Sequence, residues 1–347
     1  MKAFYKRYVL NFKRPSGTSR GVLHEKETWF IILKNGDATG IGECGILRSL
    51  SYDDRPDYEE KLQWACANIH LGEAQLFTAL KEFPSIQFGI EQAFLSLKSS
   101  DKYILHPSNF TLGNDAIPIN GLIWMGDREY MKSQIIEKLN SGFNCIKLKI
   151  GAIDFETELS LLKYIRSEFT SEEIEIRVDA NGAFSTSIAL ENLKKLSDFE
   201  LHSIEQPIKA GNWDAMAELC SNTPLEIALD EELIGITDYD EKQCLLKHIK
   251  PQYIILKPSL VGGYRGCVEW IKLAEAQDTG WWITSALESN IGLNAIAQFT
   301  YTLENKMPQG LGTGGLYTNN FESPLEVQDG YLHYNTNKAW DFNLLAE

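Results

Sequence analysis

An α/β barrel preceded by an α+β domain is the fold class this sequence predicts, on three observations. From about Ile117 onward, eight short apolar segments alternate with amphipathic helical ones, the pattern of a closed parallel barrel. Five consecutive segments carry a charged residue at the same relative position, spaced 30, 26, 25 and 27 residues apart. The first 115 residues lack that alternation and read as strands followed by helices. A chain of 347 residues is long enough for a large barrel plus a second domain.

Taken in order, Ala3–Phe12 and Thr28–Lys34 are strand-like, and Asn35-Gly36-Asp37 is a hairpin turn signal. Between the first two strands, Ser16-Gly17-Thr18-Ser19-Arg20-Gly21 reads as a flexible loop. Helical stretches follow near 58–69, 73–83 and 89–98. The texture changes near residue 116. The barrel strand candidates are 117–124, 145–150, 175–180, 202–206, 226–231, 253–258, 282–286 and a short 309–312. Helical segments such as 129–139, 156–165, 188–196 and 268–276 lie between them. An open doubly wound sheet is the competing architecture. The absence of a Gly-x-Gly-x-x-Gly turn after the first strand speaks against its dinucleotide-binding form.

The candidate chemistry sits on the strands. In Ile146-Lys147-Leu148-Lys149-Ile150 the side chains alternate, so both lysines share one face. In a barrel the apolar face meets the helices, which turns the lysines inward, where they need anions. An exposed edge strand with solvated lysines is the alternative. By the same alternation Arg177 and Asp179 point inward, and Glu205, Asp230 and Lys257 stand at the ends of the next three strands. A lone acid at a strand end is usually a helix cap or an ion-pair partner. A lysine pair, three acids and a lysine in register are harder to read that way. Three carboxylates without His or Cys are hard oxygen ligands, which implies Mg²⁺, with Mn²⁺ as the other choice, rather than zinc. Lysines flanking such a metal suit removal of a proton next to a carboxylate.

The bulk numbers bound the partners. The net charge is −15, so the surface repels nucleic acid and anionic lipid. No stretch approaches a membrane span, and the N-terminus has no signal-peptide core. The six cysteines form no zinc or redox spacing, which fits a cytoplasmic protein. The expectation is a soluble enzyme for a small anionic carboxylate, with no nucleic-acid or membrane partner, and a homo-oligomer left open.

In combination, Lys147-x-Lys149, Asp179-Ala180-Asn181, Glu205-Gln206-Pro207, Asp230-Glu231 and Lys257-Pro258 resemble the muconate-lactonizing subgroup of the enolase superfamily. The resemblance spans nearly the whole chain. It implies a modified TIM barrel of about seven βα units plus a last strand, over 116–320. It also implies an α+β capping domain, 1–115, completed by the tail 321–347. It implies Mg²⁺ on Asp179, Glu205 and Asp230. Lys149 would be the base, Lys257 the lysine of the opposite face, and Lys147 a substrate-carboxylate group that depresses the pKa of Lys149. Asn181 and Glu231 would support the ligands from behind. A lysine base working with magnesium is general to that superfamily.

Within the subgroup, Ser285-Ala286-Leu287-Glu288-Ser289-Asn290-Ile291-Gly292 resembles the seventh-strand segment of members that dehydrate a succinyl-bearing cyclohexadiene carboxylate. The eighth-strand run 310–317, with Gly312, lacks the Asp-x-Asp with which dipeptide epimerases bind an ammonium group. Its free glycine N–H groups suit an anion or a close-packed ring, and a plain tight loop is the other reading. Ser285, Ser289, Gly312, Arg20 and Arg177 are the substrate-binding candidates, with a structural ion pair to Glu205 or Asp230 as the alternative for Arg177. Racemisation or epimerisation of N-acylamino acids or dipeptides is the rival activity, and a non-catalytic barrel the rival class. Glu232 departs from the subgroup, where relatives often have Ser.

Overall fold

The computed structural model describes residues 1–18, 21–151 and 153–342. The chain opens with a three-stranded antiparallel sheet of β1 (Lys2–Thr18), β2 (Gly21–Asn35) and β3 (Ala38–Cys44). Gly36 turns the second hairpin at φ 60°, a conformation open to glycine at little steric cost. Within the expected loop Ser16–Gly21, the described residues Ser16–Thr18 and Gly21 are instead laddered, with Ser16 opposite Leu23 and Thr18 opposite Gly21. A register shift between Asn11 and Ser16 re-aims the end of the hairpin. Arg20 lies outside the described residues.

Alternation along β2 gives the sheet two faces. Trp29, Ile31 and Leu33 pack against α1 (Tyr58–Ala67), α2 (Gly72–Ala79) and α3 (Pro84–Lys98). Pro84 starts α3 where a missing N–H costs nothing. Phe30 and Ile41 face the other way, onto Ile291, Phe321 and Phe342.

The barrel strands are β5 (Gly121–Ile123), β6 (Cys145–Lys149), β7 (Glu175–Asp179), β8 (Ser203–Glu205), β9 (Ile227–Leu229), β10 (Tyr253–Leu256) and β11 (Gly280–Ile283), parallel and in sequential order. The helices between them are α4 (Arg128–Asn140), α5 (Phe155–Glu168), α6 (Thr186–Ser197), α7 (Trp213–Asn222), α8 (Tyr239–Ile249), the short α9 (Pro258–Val261) with α10 (Gly263–Glu275), and α11 (Asn290–Thr302). The outward residues of the strands, such as Ile146, Leu148, Ile176, Val178 and Ile254, join the helices in the main core.

Two expected strands differ. The segment 117–124 breaks in two. Its first part, β4 (Ala116–Pro118), leaves the barrel to pair with β13 (Tyr331–Tyr334), which pairs in turn with β12 (Leu325–Gln328). Pro118 has no N–H to give the barrel ladder, and only its carbonyl is used, accepting from Gln309 N. The eighth strand is reduced to two parallel bridges, Ile119 to Gln309 and Thr284 to Gly310. They still close the barrel, because residues 309 and 310 bond to both edges of the sheet. The tail divides its contacts. The β12–β13 hairpin pairs with β4, while Phe321 and Phe342 cover the capping sheet.

Candidate active site

The register of the barrel builds the charged layer. Lys149 is paired with Asp179 across β6 and β7, and Asp179 with Glu205 across β7 and β8. Because β6 lies between β5 and β7, it is no edge strand, and its lysines face inward. Asp179, Glu205 and Asp230 are all buried. Their nearest partners are the three lysines. Lys149 Nζ donates to Asp179 Oδ2 at 2.9 Å and to Asn181 Oδ1 at 2.8 Å. Lys147 Nζ donates to Glu205 Oε2 at 2.5 Å and stands 3.2 Å from Asp179 Oδ2. Lys257 is ion-paired with Asp230. Asn181 Nδ2 donates to Glu231 Oε1 at 3.0 Å, so the two expected supporting residues are joined to each other and, through Asn181, to Lys149.

Three lysines face three carboxyl groups, which are held unevenly. Burial raises the Asp179 carboxyl, but Lys147 and Lys149 outweigh it and hold Asp179 well below the usual carboxylate range. Burial and the neighbouring Asp179 push Glu205 up to about 8. Lys147 and Lys257 are depressed by burial, and their acid neighbours more than reverse that, so both sit above the ordinary lysine value. Lys147, expected to stand beside Lys149 as a like charge, is itself held by two carboxylates, those of Glu205 and Asp179.

A cavity of about 520 Å³ opens above this layer. Lys147, Lys149, Asp179, Asn181 and Lys257 form its floor, and Leu23, Leu47, Leu50, Trp124, Leu287 and Leu316 give it an apolar upper wall. Glu205 and Asp230 lie beneath the lysines and do not line it. Ser285 and Gly312 do line it, and the Ser285 hydroxyl shares a hydrogen bond of 2.7 Å with Thr313.

Two substrate-binding candidates are elsewhere. Ser289 is buried at the start of α11, with its hydroxyl bonded to Glu43 of the capping domain at 2.5 Å. Arg177 points inward as expected, but one layer deeper. It donates to Glu175 at 2.6 Å and to the Pro308 carbonyl at 2.9 Å, and lies 4.2 Å from the Trp282 ring centre. Its ion pair is with Glu175, not with Glu205 or Asp230, because two residues along a strand is a full step in depth. Glu232 is turned away from the lysines, accepting from Gln206 Nε2 at 2.9 Å and Gly211 N at 2.8 Å. The apolar wall from Leu23, Leu47 and Leu50, and the cations Lys13, Arg14 and Arg48 above it, carried no periodic signal, since they come from loops and a hairpin end of another domain.

The donor set suits a hard divalent cation, being all carboxylate and buried. Oε1 of Glu205 is buried without a hydrogen-bond partner among the described residues, which leaves a lone pair for one. Among the described residues no three acidic or metal-ligating side chains are gathered into a ready cage, and each of the three carboxylates is paired with a lysine.

A closed barrel with a separate α+β cap and this layer of lysines and carboxylates defines an enzyme of the enolase superfamily. A family profile described as Enolase C-terminal domain-like matches residues 130–338, and the chain belongs to that family. It is 47% identical to the o-succinylbenzoate synthase of Desulfotalea psychrophila, over 96% of this chain and 98% of that protein. The crystal structure of MenC from the same organism superposes with a TM-score of 0.85 at 42% identity, covering 96% of this chain and 99% of that one. The muconate lactonizing enzyme of Pseudomonas fluorescens shares the fold, with a TM-score of 0.81 at 22% identity over 99% of this chain and 97% of its own.

Proposed function

We propose that this chain is an o-succinylbenzoate synthase. It dehydrates 2-succinyl-6-hydroxy-2,4-cyclohexadiene-1-carboxylate to 2-succinylbenzoate in menaquinone biosynthesis, a hydro-lyase reaction. The observation that carries this reading is the 47% identity across both domains, 96% of the chain, to a protein of that name. The site is consistent with it. Apolar leucines and Trp124 suit a ring, and the lysine floor suits a carboxylate.

Lys149, in its neutral form, takes the proton alpha to the ring carboxylate. Asp179 and Asn181 aim its Nζ from below. The protonated Lys149 then gives that proton to the departing hydroxide on the same face, water leaves, and the ring becomes aromatic. Lys257, on the opposite side of the barrel, places a positive charge near the developing enediolate, and Lys147 faces the substrate carboxylate. Asp179, Glu205 and Asp230 would hold Mg²⁺, or Mn²⁺, the former being the metal used in this superfamily. When bound, such a cation would add charge neutralisation at the substrate carboxylate. Leu23, Leu47 and Leu50 of the cap, residues 1–115, would lie against a substrate held in the catalytic part, 116–320. Six free thiols agree with a cytoplasmic setting.

Both Lys149 and Lys257 line the cavity, as a racemase working both faces of a substrate requires, so N-acylamino acid racemisation or dipeptide epimerisation is the second reading. One experiment separates them. Purified enzyme with Mg²⁺ is given the cyclohexadiene substrate, then N-acylamino acids and dipeptides in deuterium oxide. Rapid ultraviolet change with the first and slow deuterium incorporation with the others supports the synthase. Rapid exchange on the acyl amino acids without aromatisation would replace it.

A further inference from the structure

Three ionisable groups buried where the cap meets the barrel have no part in the chemistry above: Lys26 on β2, Glu43 on β3 and Glu288 just beyond β11. We propose that Glu43 and Glu288, balanced by Lys26, form a positioning device that fixes the pocket wall Ser285–Leu287 from the capping domain.

Glu43 accepts four hydrogen bonds, three of them from the barrel. Ser289 N and Gly292 N donate at 2.9 and 2.8 Å, and the Ser289 hydroxyl at 2.5 Å. The fourth comes from the Thr28 hydroxyl at 2.7 Å. A carboxylate of one domain thus caps the first turn of α11 in the other, where N–H groups are unpaired and negative charge is favoured. Glu288 works on the same loop from within. It accepts from Ala286 N at 2.7 Å and from the Ser259 hydroxyl at 2.5 Å. Ser259 lies in α9, whose N-cap is Lys257, so the wall is tied to the turn that carries that lysine. Leu287 between them is held at φ 63°, with its carbonyl bound by the Tyr317 hydroxyl at 2.7 Å.

The joint has no slack. A Cβ on Gly45 would stand 2.5 Å from Ser259 Oγ, and one on Gly292 would stand 2.9 Å from Glu43 Oε2. Lys26 Nζ is buried with no hydrogen-bond partner among the described residues. It is buried along with Glu43 and Glu288 and carries the opposite charge; burial lowers its pKa, and the two acids oppose that. Apolar packing would join two domains at smaller desolvation cost. What hydrogen-bonded charge adds is a fixed position, here for the three residues that wall the cavity.

The test uses full-length Glu43→Gln and the double variant Lys26→Met/Glu43→Gln, which removes one charge of each sign. Two readouts are taken, amide exchange of the peptide 285–292 and steady-state kinetics. In the double variant, exchange should speed up by roughly tenfold or more, and KM should rise roughly tenfold with kcat within about threefold of wild type. Its melting temperature should lie above that of Lys26→Met alone, which leaves two buried acids facing each other. Exchange within about twofold of wild type, or faster exchange with KM unchanged, overturns the inference. The kinetic arm rests on the proposed reaction, with wild-type turnover as its control. If the wild type does not turn over, that reading fails and exchange alone decides.

Discussion

Lys149 and Lys257 occupy comparable places on opposite sides of the barrel, yet their surroundings differ. Lys149 is held by one carboxylate and an amide, whereas Lys257 is ion-paired with Asp230 alone among the side chains described. That asymmetry fits one lysine moving a proton and the other supplying charge. Lys149→Ala should cut kcat by about 10²–10⁴-fold, the range of a lost general base. Lys257→Ala should leave part of the dehydration and remove any racemisation, with both rates followed by ultraviolet absorbance and proton exchange. Arg177 belongs to stability instead. Arg177→Met should cost about 2–4 kcal/mol in urea unfolding, through the lost hydrogen bonds and the Trp282 contact, with KM unchanged. At this scale the sequence was readable wherever strand alternation fixed a side chain's face, as for Lys147, Lys149, Asp179 and Glu205. It misplaced Ser289 and the partner of Arg177. Alternation gives the face of a strand but not the depth, and a loop residue has no period at all.

Among the elements, the barrel strands 145–150, 175–180 and 253–258 were legible because each is short, apolar outward and bounded by helical periods. The segment 117–124 read as one strand because apolar content hides what Pro118 does to a ladder. The joint between α3 and α10 could not be read, since its partners lie far apart in the chain. There Glu91 accepts from Tyr264 N at 2.6 Å and Arg265 N at 3.2 Å. Burial nonetheless pushes its carboxyl up to about 8 from an ordinary 4.5. Between those values the unfolded chain gives up the proton and the folded chain keeps it. Stability attributable to Glu91 therefore falls as pH rises from about 4.5 to about 8, and levels off above. Glu91→Gln should flatten that part of the melting-temperature profile. A profile equally steep in the variant would assign the slope to other groups.

The molecule as a whole carries a charge of −15, while its cavity floor holds three lysines over three buried acids. A divalent cation bound at those acids would relieve the crowding that lifts Glu205. Mg²⁺ at a hundred times its dissociation constant should stabilise the fold by about 2.7 kcal/mol. A chelator should reverse the gain, and Glu205→Gln should lose most of it, as read by thermal melting in titrated Mg²⁺. Lys149, above that layer of acids, is proposed to drive an aromatising dehydration. The most direct test is the ultraviolet progress curve of the cyclohexadiene substrate with wild type, Lys149→Ala and chelator-treated wild type side by side. The account predicts fast aromatisation by the wild type alone, restored to the chelated enzyme by Mg²⁺. Undiminished turnover in Lys149→Ala, or no turnover by the metal-loaded wild type, would contradict it.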